Sequence, residues 1–441
     1  MFATQVLAQY ADQLQRQSLS SDVVHHAKRA VIDWYASVFP GLATLPVRLL
    51  EDAVSEDIGR GNSRLIQGQA ATTRTAALIN GTAAHAAEID DSFREAMYHP
   101  GAATIAAALA TAQGRDASGL QFLKAVVLGY ELSTRIGVVM GRSHYKHWHS
   151  TGTVGAFGAA AAAGSALELS EMEFAHALAT AATFAAGLQQ AFRMDSMSKP
   201  LHAGRAAEAG VLAAQLAKRG VTGSLDVLDG EIGFGHAMSD GPDWSAIGAT
   251  LGSDFHINRL TFKNHIGCGH TFAAIDGALE LQRQKSIHAA DIVRVNVATY
   301  KPALDIACYA DPSTENEAKF SLRYVVATAL VHGSVRLAAY EPHRLADEAT
   351  QRLLQIITVA VDPDIDAAFP AQRAARIEIE TRDGQVHRYF QPNRKGDPEE
   401  PLSDAELESK LLELASPVIG ETAAKALLIR IWNLDSLESL K

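Results

Sequence analysis

The sequence predicts a mainly α protein, with a large all-helical domain and a smaller α+β domain. Three observations carry this. Ala-rich segments with helical apolar spacing run to about residue 255, alternating β-branched runs begin only after His256, and a Pro/Gly-rich linker near residue 393 precedes a fresh helix start.

In chain order, the helical segments are 24–38, 72–87, 102–112, 120–137, 155–169, 171–188 and 200–218, separated by Gly, Ser, Asp or Pro. Their Ala and Gly content favours close backbone approach. The apolar run 154–167 is too short for a membrane span and reads as a packed internal helix. Past His256, Val293, Val295 and Val297 alternate with polar residues, and 356–361 is β-rich. Asp383-Gly384 separates two alternating runs, 377–381 and 385–390, as in a hairpin. Helical patterns at 273–285 and 321–330 complete an α+β domain over 260–392. After the linker QPNRKGDPEEPLS, Ser403 and Glu406 form a capping box, so the helical domain is expected to comprise 1–259 and 393–441.

Composition narrows the function. At 441 residues, 47% hydrophobic and 20% charged, the chain is an ordinary globular protein, and its net charge of −11 argues against nucleic acid or an anionic membrane as partner. Two cysteines, Cys268 and Cys308, suggest a reducing compartment, and the N-terminus lacks signal-peptide blocks, so a cytoplasmic location is expected. Walker, dinucleotide, GxSxG and HExxH motifs do not occur, which leaves proton chemistry without a cofactor.

Four clusters carry candidate chemistry. In DSMSKPLHAGRAAEAG, residues 195–210, Pro200 reads as the first helical position, with Lys199 in the N-cap region. A helix N-terminus and partial burial would both depress the lysine pKa and make it a proton carrier. In HYKHWHSTGT, residues 144–153, Thr151 or Thr153 can cap the next helix and leave N–H groups for a carboxylate, beside Tyr145 and His149. The three histidines there lie at offsets of three and five, which do not converge on zinc, so no metal is expected. His85, Glu88, Asp90, Asp91 and His99 crowd a short span, with Pro100 turning His99 toward a cleft. FKNHIGCGH brings Lys263, His265, Cys268 and His270 to a Gly-rich loop at the domain junction, and Arg193 is suited to clamp a carboxylate. Structural histidines and a solvated acidic turn are the plain alternatives.

These motifs resemble the MmgE/PrpD family, which contains 2-methylcitrate dehydratases, cis-aconitate decarboxylases and an iminodisuccinate epimerase. The likeness rests on HHAKRAVIDW, HAAEIDD with the following HPG, WHSTGTVGAFGAAAAA, SKPLHAGRAAEAG and KFSLRYVVATAL. It implies a helical domain built from both chain ends, a smaller α+β lid, a homodimer and a cofactor-independent site between the domains. By position, the family's site residues fall on His99, His149 and Lys199. Phe272 stands where dehydrating and decarboxylating relatives commonly have His, Lys263-Asn264-His265-Ile266 replaces a Lys-Pro-Tyr-Pro run, and Glu88-Ile89 replaces Asp and an aromatic.

Those departures favour an isomerase, an epimerase that inverts a carbon beside a carboxylate in a small di- or tricarboxylate such as iminodisuccinate. Inversion needs two proton carriers, for which Lys199 and Tyr145 are the candidates, with His149 orienting or relaying. Arg193, Lys263 and the helix start at Thr151 would hold carboxylates, with His99, Asp90, His265 and His270 completing the substrate side. A lyase removing water or carbon dioxide is the alternative, and a non-catalytic scaffold the third. A pyridoxal-phosphate cradle for a lysine Schiff base is not visible in the sequence.

Overall fold

Small side chains decide how the helices meet. In the computed structural model, which describes residues 1–194 and 196–440, a β-carbon added to Gly210 would lie 2.4 Å from both Ala159 Cβ and Ala160 N, and one on Gly204 would lie 2.3 Å from the Leu78 carbonyl oxygen. Asp195, which opens the 195–210 segment, and Lys441 lie outside the described residues. The chain divides into two compact units, Met1–Thr261 with Ser403–Lys441, and Phe262–Leu402.

In the first unit the Ser150–Ala166 helix is buried along its whole length, and Gly119–Tyr145, Pro100–Arg115, Glu171–Phe184 and Ser198–Lys218 pack around it. Such all-round burial suits a helix made mostly of Ala, Gly, Ser and Thr, whose small girth admits neighbours on every side. Among the described residues no single helix is long and apolar enough to cross a membrane. The Asp404–Ile419 helix begins at the Ser403/Glu406 capping box and packs against Ser21–Leu42.

The sequence reading missed three features here. A helix, Ala3–Arg16, opens the chain. The unit is not purely helical, because β1 (Ile58–Arg64) pairs antiparallel with β2 (Ala70–Ala71); Gly59 and Gly61 take φ of +85° and +84°, which a helix does not accommodate. The Gly119–Tyr145 helix extends past 137 and is broken at Gly141 (φ 62°, ψ −162°), which redirects its last turn and Tyr145.

The second unit holds a four-stranded sheet in the order β4-β3-β5-β6, from β3 (Ile292–Thr299), β4 (Ile357–Val361), β5 (Ala375–Thr381) and β6 (Val386–Gln391). β3 runs parallel to β4 and antiparallel to β5, and β5 and β6 form the hairpin across Asp383-Gly384. Ala375, Ile377, Ile379 and Thr381 alternate inward, and the Phe272–Lys285 helix lies on β5 and β6, with Gly277 allowing Ile377 to approach closely.

Candidate active site

Helix ends gather the titratable side chains of the first unit. Pro100 starts the Pro100–Arg115 helix, so His99 becomes its N-cap, and His149 is the N-cap of Ser150–Ala166. The expected threonine cap does not form. Thr151 Oγ1 instead accepts from the His99 backbone N–H (3.3 Å) and Thr153 Oγ1 meets His144 Nε2 at 2.7 Å, so both hydroxyls tie neighbouring segments together.

The Thr73–Ala86 helix delivers His85 and then turns sharply. Glu88 adopts φ +60°, a left-handed conformation that costs a non-glycine residue about 1–3 kcal/mol. Two lysines hold this turn: Lys199 hydrogen-bonds the Glu88 carboxylate, and Lys410 Nζ donates to the Ile89 carbonyl at 2.9 Å. Asp90 and Asp91 are accordingly buried rather than solvated. Asp90 Oδ2 lies 2.7 Å from His85 Nδ1 and 3.4 Å from His99 Nδ1. His99 Nδ1 donates to the Asp91 carbonyl at 2.6 Å, which leaves Nε2 as its acceptor in the neutral ring. Asp91 itself accepts from Tyr130 Oη (2.7 Å) and the Gly101 N–H (3.0 Å). Burial, then the charges of Asp33 and Asp90, push its carboxyl up to about 8.

The imidazoles form a run of ring contacts. The His85 ring is 5.0 Å from that of His99 and 5.3 Å from that of His149, and His149 lies 5.3 Å from His202, with the two Nδ1 atoms 3.1 Å apart. Burial first, then His85, Lys199 and the other histidines, drives the His149 pKa far below the usual imidazole range. Phe192 bridges the cluster, edge-on to His149 at 4.8 Å and beneath the Lys199 ammonium at 4.9 Å.

Lys199 departs from expectation twice. Its helix begins at Ser198, after Met197 as N-cap, so Lys199 is already inside the first turn and Pro200 follows it. Its pKa is raised, not lowered. Burial does push it down, but the Glu88 carboxylate, by charge and hydrogen bond together, outweighs that effect, and Asp90 and Tyr145 act in the same direction. The side chain is 21% exposed and is a charged ammonium at neutral pH.

Lys199, Tyr145, His149, His99, Asp90 and Thr151 thus fall in one cluster of the first unit. Arg193 is near in sequence, but it is exposed and its guanidinium has no hydrogen bond among the described residues. Sequence reasoning passed over His202, Phe192, Lys410 and Asp33. The first was legible as Lys199+3 on the same helix; the others required tertiary contacts.

Lys263, His265 and His270 belong to the second unit. His265 Nε2 lies 2.7 Å from Asp276, both side chains almost wholly buried, and Phe272 stands edge-on to His265 at 5.5 Å. His270 Nδ1 meets Tyr300 Oη at 3.0 Å. Burial, then Arg373 and Arg394, lowers its pKa to about 4. Lys263 is half-buried.

One atom each from His85, Asp90 and His99 falls within 4.8 Å of the others, the spacing of a metal-ligand set. The hydrogen bonds of both Nδ1 atoms already account for that clustering. His144, His147 and His149 do not converge: His144 bonds Met238 and Thr153, and His147 is exposed.

Residues 5–247 match the MmgE/PrpD N-terminal domain and residues 265–436 the MmgE/PrpD C-terminal domain. Among curated proteins the chain is similar to a cis-aconitate decarboxylase-like protein of Aspergillus oryzae, with 28% identity covering 94% of this chain and 91% of the relative. It is 27% identical to human cis-aconitate decarboxylase, covering 95% and 89%. It is 25% identical to the cis-aconitate decarboxylase of Aspergillus terreus, covering 99% and 94%.

Proposed function

Because the chain belongs to the MmgE/PrpD family, we propose that it is a lyase that decarboxylates a small unsaturated tricarboxylic acid of the cis-aconitate type, with Lys199, His99 and His149 at the reacting centre. The observation that carries this reading is the charge on Lys199: held as an ammonium by Glu88, it is an acid and an anion anchor, not a resting base. Together with the names of the relatives, it reverses the ranking drawn from sequence, in which epimerisation stood first.

Decarboxylation breaks the bond between a carboxylate carbon and its neighbour, leaves the electron pair on that neighbour, releases carbon dioxide and consumes one proton. An adjacent C=C–COO⁻ unit spreads the pair, and a cation beside that unit stabilises it. Lys199 suits this role, and its proton is available to the developing carbanion. His99 Nε2, the acceptor nitrogen of the neutral ring, and the hydroxyl of Thr151 offer polar contacts to the substrate. The neutral, buried His149 excludes a second charge from the same wall. Incubation with cis-aconitate should release carbon dioxide, and Lys199→Ala should lower kcat by about 10²–10⁴-fold. Unchanged turnover in that variant would reject the assignment.

Epimerisation remains a second reading, supported by the coupling of Tyr145 to Lys199, which puts two proton carriers in one cluster. It requires inversion of a substrate such as iminodisuccinate with no loss of carbon dioxide.

A further inference from the structure

Behind the cluster lies an open pocket of about 560 Å³, lined by residues of the 184–191 and 196–206 segments, and His202 is the residue that joins it to the buried histidines. His149 is 2% exposed, while His202 is half-buried and lines the pocket. Their Nδ1 atoms lie 3.1 Å apart, and burial leaves both rings neutral, so one Nδ1 carries the shared proton and the other accepts it. Since Nδ1 and Nε2 lie on opposite sides of an imidazole, this bond leaves one Nε2 free at each end of the pair.

The contact is built by two glycines. A β-carbon on Gly187 (φ +138°) would come within 3.2 Å of His202 Nδ1. One on Gly152 would meet His202 Cβ at 3.1 Å and the Ala186 carbonyl at 2.4 Å. Bulkier residues at either site would push His202 away from His149.

We propose that His202 and His149 form a proton relay that carries the proton consumed in each turnover from the pocket to the reacting centre. The inference rests on the decarboxylase reading, since that reaction takes up one proton for each carbon dioxide released. As a proton binds His202 Nε2, the Nδ1 proton passes to His149 Nδ1, and the His149 Nε2 proton goes to the carbanion or to the depleted Lys199 amine. Between turnovers the two rings part and each shifts its proton from one nitrogen to the other through water, which restores the starting tautomers without drawing a proton back from the reacting centre. The charged and titratable groups facing the pair are His85 on one side, Lys199 and Arg205 on the His202 helix, and His99 beyond His85. Arg205 is tied to Glu208. The cations repel a resting imidazolium, so the pair passes a proton on and does not store one.

The test uses His202→Gln and His202→Ala in the full-length protein with cis-aconitate. The relay predicts a kcat lower by about 100-fold with KM within about twofold, and partial recovery of His202→Ala by millimolar imidazole, which can enter the pocket. A kcat near that of the parent, or a loss that imidazole does not relieve, overturns it. A parent that releases no carbon dioxide refutes the decarboxylase reading itself, and in that case, or where the variants do not fold, the shared proton is read directly. ¹⁵N-histidine NMR of the parent should then show one Nδ1 proton shared between His149 and His202 and slowed in exchange, and two independently solvated Nδ1 positions would overturn the relay.

Discussion

The ammonium of Lys410 meets the carboxylate of Asp33 at 2.6 Å, with the two side chains 0% and 1% exposed, and the same ammonium holds the Ile89 carbonyl beside the acidic turn. The Asp404–Ile419 helix thereby braces the turn that carries Glu88, Asp90 and Asp91. Removing one partner strands a buried charge, so Lys410→Met should destabilise the protein by about 3–5 kcal/mol in urea unfolding. The double change Lys410→Met with Asp33→Leu should recover much of that loss. Equal stability of Lys410→Met and the parent would show that the pair carries no structural load.

Glu88 sets the ionisation of Lys199, and Glu88→Gln isolates its effect. With the carboxylate gone, burial is left as the main influence and the lysine pKa falls below its ordinary value. An acid role requires the protonated form, so the alkaline limb of the kcat profile should move to lower pH. The linkage has the same sign for stability: a raised lysine pKa stabilises the fold below the unfolded pKa, and the benefit is lost as pH rises through the folded one. A profile that does not move would separate Glu88 from catalysis.

Asp91 should make the protein less stable as pH rises. Its carboxyl is held up at about 8 against an ordinary 3.8, so between those values the folded state binds a proton that the unfolded state has released. Stability then declines with pH across that window, with a limiting slope of about 1.4 kcal/mol per pH unit from this group. Asp91→Asn mimics the neutral acid and should flatten the decline, as measured by urea midpoints at pH 5, 7 and 9.

Close helix contacts give a further check. At Gly204 a methyl group would lie 2.1 Å from Thr82 Oγ1 and 2.3 Å from the Leu78 carbonyl, one of them rigid backbone. Gly204→Ala should cost at least about 1–3 kcal/mol despite its better helix propensity. A stabilised variant would contradict the packing described.

Much of the fold was legible because periodicity is local. The strands near 293–297 and 357–361, the Asp383-Gly384 hairpin and the Ser403/Glu406 box all emerge where alternation or capping chemistry required them. The β1–β2 ribbon was missed because Ile58–Arg64 has only one buried residue, so no alternating pattern marks it. The clustering of Lys199 with His99, His149 and Asp90 was anticipated from motif positions. The charge of Lys199 was not, because helix position and burial are readable from sequence whereas the partner that reverses them lies 111 residues away. Likewise, Lys410 and Asp33 are 377 residues apart, and nothing local announces a buried pair.

The most direct test of the charged Lys199 as acid in a decarboxylase is proton NMR of the protein with cis-aconitate in heavy water. The account predicts carbon dioxide release with one deuterium gained on the allylic unit that takes up the electron pair, and loss of both in Lys199→Ala. Retention of all three carboxylates, with deuterium appearing instead at an inverted centre when iminodisuccinate is supplied, would contradict it.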